Sequence, residues 1–405
     1  MAPYETDDTT TAGEADEPRA GRRRAARYVV PVTVMGVAAA TIGLVPAIAD
    51  SGDPDLPEIT AAQLIERIAT SDVQQLSGTV KITTDLGLPD LGGLESGLVS
   101  GATEQGEGGS SADPSAKLTE LASGTHTLRV AADGPDRQKL SLLENAAEYS
   151  LIHNGKDVWG YDSASNAVHH STVDRSGEDR AQKPPATPKD FAEEALKAVD
   201  DTTSVAVDGT AQVAGRDAYK LVVKPRQSGS TVGAISIAVD HRTGMPLKFT
   251  LTPASGGAAV VDVGFTKVSF DRPAASTFAF TPPKGAEVTE DGELDHGRER
   301  SGKPENAPKP EEDLAKGLDG LKMLGEGWNS VAVFDTGGEG GLPTGEAGGD
   351  LGGFLGSLGD QVKGDFGTGT VFSTRLVNAL MTEDGKVYVG AVTKDALVKA
   401  ADAGK

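Results

Sequence analysis

The sequence predicts a mainly β protein: a curved antiparallel half-barrel of about ten strands with capping helices, followed by a small α+β C-terminal domain. Three observations predict it. Apolar residues alternate with polar ones in many short runs, as strands with one covered face require. Hairpin signals fall between those runs, at Asp133-Gly134, Asn154-Gly155 and Thr243-Gly244. Helical periodicity is confined to a few stretches, so a sheet of this size must curl rather than pack flat.

The elements follow in order. Residues Thr60 to Ser71 read as a helix, with Thr60 as its cap and Leu64, Ile65 and Ile68 on one face. Period-two pairs come next: Val80 with Ile82, Leu128 with Val130, Leu140 with Leu142, Tyr149 with Leu151, and Trp159 with Tyr161. A second helix covers about 189–200 and interrupts the strands. The alternation then resumes through Tyr219, Leu221 and Val223, through Ile235, Ile237 and Val239, and through Leu247, Phe249 and Leu251. Phe278 and Phe280 read as a closing strand. Between Val261 and Phe270 the apolar phase shifts from Val263 and Phe265 to Val268, which predicts a bulge or bend near Thr266 and Lys267. These elements define a domain over 58–281, interrupted by a glycine- and leucine-bearing insertion at 87–114.

Residues 282–312 are rich in proline, glycine and charge, and read as a linker. The C-terminal domain, 313–405, carries a helix from Leu314 to Leu324 and a strand at Val331 to Phe334. A strand pair turning at Glu383-Asp384-Gly385 and a final helix from Lys394 to Ala401 complete it. A second glycine-rich insertion occupies 337–368.

The N-terminus carries the localisation signal. Residues 1–27 are polar and aperiodic, a disordered cytoplasmic tail ending in the basic cluster Arg22, Arg23, Arg24 and Arg27. The uncharged run 28–49 spans roughly 33 Å as a helix, enough to cross a bilayer core. Basic residues before it and Asp50, Asp53 and Asp55 after it put everything beyond residue 50 outside the cytoplasm. Two outcomes fit: a single-pass membrane anchor, or a signal sequence cleaved after Ala49, for which Ala47 and Ala49 supply the small-x-small pattern.

Composition excludes whole classes of function. There is no cysteine, so thiolate metal sites, disulfides, cysteine nucleophiles and lipidated cysteine are all ruled out. With 38 Lys and Arg against 60 Asp and Glu, the net charge of −22 argues against a nucleic-acid partner. Apolar residues other than glycine make up 37% of the chain, and the acidic charge gathers in the tail, the linker and the segment just after residue 49. The six histidines form no HExxH or helical pair, and His169-His170 reads as a solvated pair on opposite strand faces rather than a metal site. No serine lies in a nucleophile elbow, and no phosphate loop or calcium loop occurs. The chain is therefore expected to be non-enzymatic, without cofactor or metal.

The two insertions are unusual in carrying leucine. Leu88, Leu91, Leu94 and Leu98 lie in the first, Phe354 and Leu355 in the second. They read either as loops folding back on the core or as apolar flaps that meet lipid.

The helix TAAQLIERIATSDVQQLSGTVKI, the turn segment VDHRTGMPLKFTL (239–251) and the segment STFAFTPPKGAEV (276–288) resemble the lipoprotein-carrier (LolA-like) superfamily. The segments WNSVAVF (328–334) and DGKVYVGAVTKDALVKAA (384–401) are similar to the small second domain of RseB/MucB-type sigma-factor regulatory proteins. The resemblance implies a half-barrel enclosing an apolar cavity for lipid or lipoprotein acyl chains. Leu128, Val130, Leu140, Leu142, Phe249, Leu251, Phe278 and Phe280 are the candidates to line it, ordinary core packing being the competing reading. The expected function is a membrane-associated carrier or chaperone of acyl chains. An envelope-stress regulator that binds an anti-sigma factor or other envelope protein is the alternative, and a ligand-free cell-surface domain a third.

Overall fold

The computed structural model describes residues 54–87, 112, 114, 117, 121, 123–172, 187–290, 322–335 and 359–404. Residues 1–53 with the run 28–49, most of both insertions and residues 291–321 lie outside the described residues. Among the described residues no helix is long and apolar enough to cross a membrane.

Two antiparallel meanders build the large sheet. The first runs through β1 (Gln75–Thr84), β2 (Gly124–Asp133), β3 (Arg137–Leu143), β4 (Glu148–Asn154), β5 (Asp157–Asp162) and β6 (Ala167–Thr172). The second comprises β7 (Thr203–Val213), β8 (Arg216–Pro225), β9 (Val232–Asp240), β10 (Pro246–Pro253) and β11 (Val261–Ser269). Antiparallel pairing of β1 with β11 joins them, and β12 (Glu287–Glu290) adds to β6 in parallel. The result is a 12-stranded open sheet, ordered β12-β6-β5-β4-β3-β2-β1-β11-β10-β9-β8-β7. The expected bulge is present: Val80 pairs with Phe265 while Thr79 pairs with Lys267, which leaves Thr266 as the extra residue.

Helices cover one face of this sheet. Helix α1 (Ala61–Ala69) starts in a capping box of Thr60 and Gln63, and buries Leu64 and Ile68 against β7 and β8. Helix α2 (Pro188–Lys197) starts in a second capping box, Thr187 with Asp190, and packs on β9, β10 and β11. Its Phe191 ring lies 5.3 Å from that of Phe249.

Between β9 and β10 the segment Asp240 to Pro246 ties helix to sheet. The Asp240 carboxylate, fully buried, accepts from Arg216 Nε at 2.6 Å and from the Thr243 amide and hydroxyl, each at 2.8 Å. Gly244 turns at φ +73° directly beneath the backbone of Arg67, a position where any side chain would collide. Arg67 in turn donates to the His241 carbonyl at 2.7 Å, and so anchors the end of α1.

The second sheet has six strands, ordered β13-β14-β18-β17-β16-β15: β13 (Lys322–Leu324), β14 (Val331–Asp335), β15 (Asp360–Gly364), β16 (Gly367–Ser373), β17 (Asn378–Thr382) and β18 (Lys386–Gly390). Helix α3 (Lys394–Ala403) seals its core through Leu397 and Ala401. Four expectations are corrected here. Lys322–Leu324 is strand rather than helix, because it pairs with β14. Asp360–Gly364, expected within the second insertion, pairs with β16. Glu287–Glu290, expected as linker, pairs with β6. The expected strand pair is three strands, since Thr374 turns the chain by bonding Val377 before β17 begins.

Both sheets lie within one compact unit, Pro54–Lys405. The turn between β18 and α3 pairs with the β8–β9 turn, Thr231 N to Ala391 O at 2.9 Å and Thr393 N to Gly229 O at 2.7 Å. Arg375 donates to the Asp85 carboxylate at 2.6 Å and to the Ala258 carbonyl. Trp328 packs its ring into the core beneath α1 and α2 and donates to Thr203 Oγ1 at 2.8 Å. Because the indole is half-buried, Trp328→Ala is expected to cost about 2 kcal/mol, less than a fully buried Trp. Hydrogen exchange should register it as faster exchange at Ser330–Val333 and Ala391–Thr393, with the exchange of β2–β5 unchanged.

Candidate apolar binding groove

The sheet face beneath α2 is apolar because alternation sends one side-chain set of each strand there. The register aligns Val130 of β2 with Leu140 of β3 and Leu151 of β4. Leu128, Leu142 and Tyr149 form the next row, and Ala132, Gln138, His153 and Val158 the row on the other side. Across β1, Phe265 of β11 lies over Gly78, which has no side chain to displace it.

Between this floor and α2 lies a groove of about 840 Å³, within the range of small-molecule sites. Val130, Leu140, Leu151, Val158 and Phe265 form its apolar part, with Met245 from the turn before β10. Val130, Met245 and Phe265 are buried, whereas Leu140, Leu151 and Val158 remain partly open. The opposite wall is the polar side of α2: Lys189, Asp190, Glu193, Glu194 and Lys197. Its charges are largely self-compensated, Lys197 with Glu194 at 2.6 Å and Lys189 with Glu193 at 3.7 Å. Such a groove can bury an apolar chain along the floor while a polar end meets α2 and water.

One end of the floor is covered by the chain itself. Ala112 is fully buried, and its carbonyl accepts from the Tyr149 hydroxyl at 3.1 Å. A side chain at Gly160 would collide with that carbonyl. Leu121, also buried, packs with Leu128 and Leu142 in the same core. Gly160→Ala is therefore expected to lift residue 112 off Tyr149, read as protease cleavage near residue 112 that appears earlier than in the unaltered protein.

The eight candidate lining residues separate into four groups. Val130 and Leu140 are at the groove. Leu128 and Leu142 are buried in the adjoining row, with 0% and 2% of their surface exposed. Phe249 and Leu251 belong to the core beneath α1 and α2. Phe278 and Phe280 are elsewhere, and the closing strand expected there is not formed: Ala275–Phe278 is a 3₁₀ turn against β3 and β4. Phe280 lies 5.5 Å from Trp159 and 5.6 Å from Tyr161. Those two rings alternate with Val158 and Gly160, so they occupy the face opposite the groove. Leu88, Leu91, Leu94, Leu98, Phe354 and Leu355, like Ala47 and Ala49, lie outside the described residues.

Sequence reasoning missed Leu151, Val158, Met245 and Phe265 as groove residues. Leu151 was recognisable as the strand partner of Leu140, but Met245 sits in a turn and Val158 is masked by its aromatic neighbours. The histidine pair also differs from the solvated reading. His169 is buried on the groove face, and His170 is stacked on Trp159 at 3.8 Å on the other. Among the described residues no group of three or more His, Cys, Asp and Glu could hold a metal ion.

No family model matches the chain, and no curated protein matches it. Among solved structures it is similar to the Pseudomonas aeruginosa MucA/MucB complex structure, at 16% identity over 84% of this chain and 96% of that one, with a TM-score of 0.39. It is similar to a LolA-superfamily protein from Nitrosomonas europaea at 11% identity, over 55% of this chain and 99% of that one, with a TM-score of 0.22. A putative outer-membrane lipoprotein-sorting protein domain from Vibrio parahaemolyticus matches at 11% identity, over 54% of this chain and 95% of that one, with a TM-score of 0.22.

Proposed function

We propose that the chain is a non-enzymatic, extracytoplasmic binding protein that holds lipid or lipoprotein acyl chains in the groove between α2 and strands β2–β5. The observation that carries this reading is the partly open apolar floor of Leu140, Leu151 and Val158 under a polar helix wall. Such a surface gains roughly 0.8 kcal/mol for each methylene it removes from water. The sequence resemblance to lipoprotein carriers supports the same reading. Residues 28–49 would hold the protein at the membrane, or export it if they are cut. Mass spectrometry of organic extracts from the purified full chain tests it. Acyl lipid should be recovered in near-stoichiometric amount, and delipidated protein should take up a fluorescent fatty acid. Protein that contains no lipid and takes up no acyl probe would refute the reading.

A second reading rests on the union of the two sheets, which a simple acyl carrier does not need. In it the two-sheet body binds an anti-sigma factor or another envelope protein. Trp328 and Arg375, which lock the sheets together, would then matter as much as the groove. Affinity capture from envelope extracts with the full chain should recover a membrane regulator, and recovery should fall with Trp328→Ala. Capture unaffected by that substitution, or none at all, counts against it.

A further inference from the structure

The face opposite the groove carries an arrangement that acyl binding does not use. His170 of β6 lies flat on Trp159, with ring centroids 3.8 Å apart and an interplanar angle of 14°. Both its nitrogens meet carboxylates: Nδ1 is 2.6 Å from Glu290 Oε2, and Nε2 is 3.1 Å from Asp157 Oδ1. Asp157 starts β5, and Glu290 ends β12 opposite His170. An imidazole can donate from both nitrogens only when protonated, so this geometry is that of an imidazolium between two acceptors. Strand β12 needs such a pin. It has four residues, mostly exposed, pairs among the described residues with β6 alone, and leaves Val288 with 39% of its surface open. Among the described residues it is also the last strand of the large sheet before β13 of the second.

We infer that His170 is a pH-sensitive pin that holds β12 on the sheet while charged and lets it go when neutral. Among the described residues, the charged groups facing it are Asp157 from β5 and Glu290 from β12. Glu287 of β12 pairs with Ala167, at the far end of the strand. The tail segment packed alongside contributes Phe280, which carries no charge. Burial is the largest single influence and lowers the imidazole's proton affinity, but the two carboxylates together outweigh it and raise the pKa above the ordinary value near 6.5. A raised folded-state value means the clasp is complete below about pH 6.5 and is lost as pH climbs through the folded value. The carboxylates are about half exposed, with 53% and 52% of their side chains open, so salt should weaken the pin.

The absence of cysteine makes the test direct, since Val288→Cys places a single nitroxide label on β12 of the full chain. The label should be immobile at pH 5.5 and become mobile as pH rises to 9. In Val288→Cys with His170→Gln it should be mobile throughout. With Glu290→Gln, which keeps the imidazole and the stack, the transition should move to lower pH. A label whose mobility does not change with pH, or changes identically in the His170→Gln protein, overturns the inference. Because the label sits opposite the groove, this outcome is independent of whether acyl chains bind.

Discussion

Replacing Asp240 by alanine is expected to lower the unfolding free energy by about 3–5 kcal/mol, the usual cost of removing one partner of a buried, hydrogen-bonded ion pair. Asp240 is fully buried at the end of β9, while Arg216, its partner, keeps 26% of its side chain open. Without the carboxylate, the guanidinium loses two bonds, and the Thr243 amide and hydroxyl lose their acceptor. Arg216 also stacks over Phe270 at 4.5 Å, so the loss should spread to the end of β11. The turn supports α1 through Arg67 and His241, and that helix should loosen as well. Burial alone would raise the Asp240 pKa, yet Arg216 and Thr243 outweigh it and hold it below the ordinary carboxylate value. A depressed folded-state pKa gives stability that is complete above about pH 4 and lost as pH falls through the folded value. Urea midpoints should therefore separate the two proteins widely at pH 7 and bring them together near pH 2. Equal midpoints at pH 7 would show that the turn is dispensable.

Leu140→Glu and Leu151→Glu are each expected to weaken acyl-chain binding by about 100-fold or more, because a carboxylate on the groove floor meets a methylene chain instead of water. The two leucines face each other across β3 and β4 and are only partly buried, so the free protein keeps the new charge hydrated and its melting temperature nearly unchanged. Titration with a fluorescent fatty acid reads the effect. Phe280→Glu, on the opposite face, should leave the affinity within about twofold. Equal losses from both faces would mean that the substitutions act through the fold rather than the groove.

Much of this architecture was legible in the sequence because it rests on local signals. The break in apolar phase after Phe265 locates the bulge at Thr266, and the Asp240 to Pro246 turn announces itself through residue types that only a tight turn needs. The start of α1 was legible because Thr60 is a capping residue ahead of the apolar face, whereas Thr187, which completes a capping box with Asp190, was not read as the start of α2. Strands held by partners rather than by their own pattern were not legible. Glu287–Glu290 is charged and follows prolines, and only pairing with β6 makes it a strand. Phe278 and Phe280 show strand spacing, but a 3₁₀ turn and an extended tail place them against β3–β5. The groove itself was half legible. Alternation marked its floor, while its wall comes from the polar side of α2, which looks like ordinary solvated helix until the fold lays it over Leu140 and Leu151.

The central claim is that the groove works by burying methylenes, and chain length tests it most directly. Fatty acids of increasing length, titrated by calorimetry into the delipidated full chain, should bind with affinity that rises by up to about fourfold per added methylene. The gain should stop when the groove of about 840 Å³ is full. Leu140→Glu should flatten the series. Affinity independent of chain length, or a rise left intact by Leu140→Glu, would contradict the account.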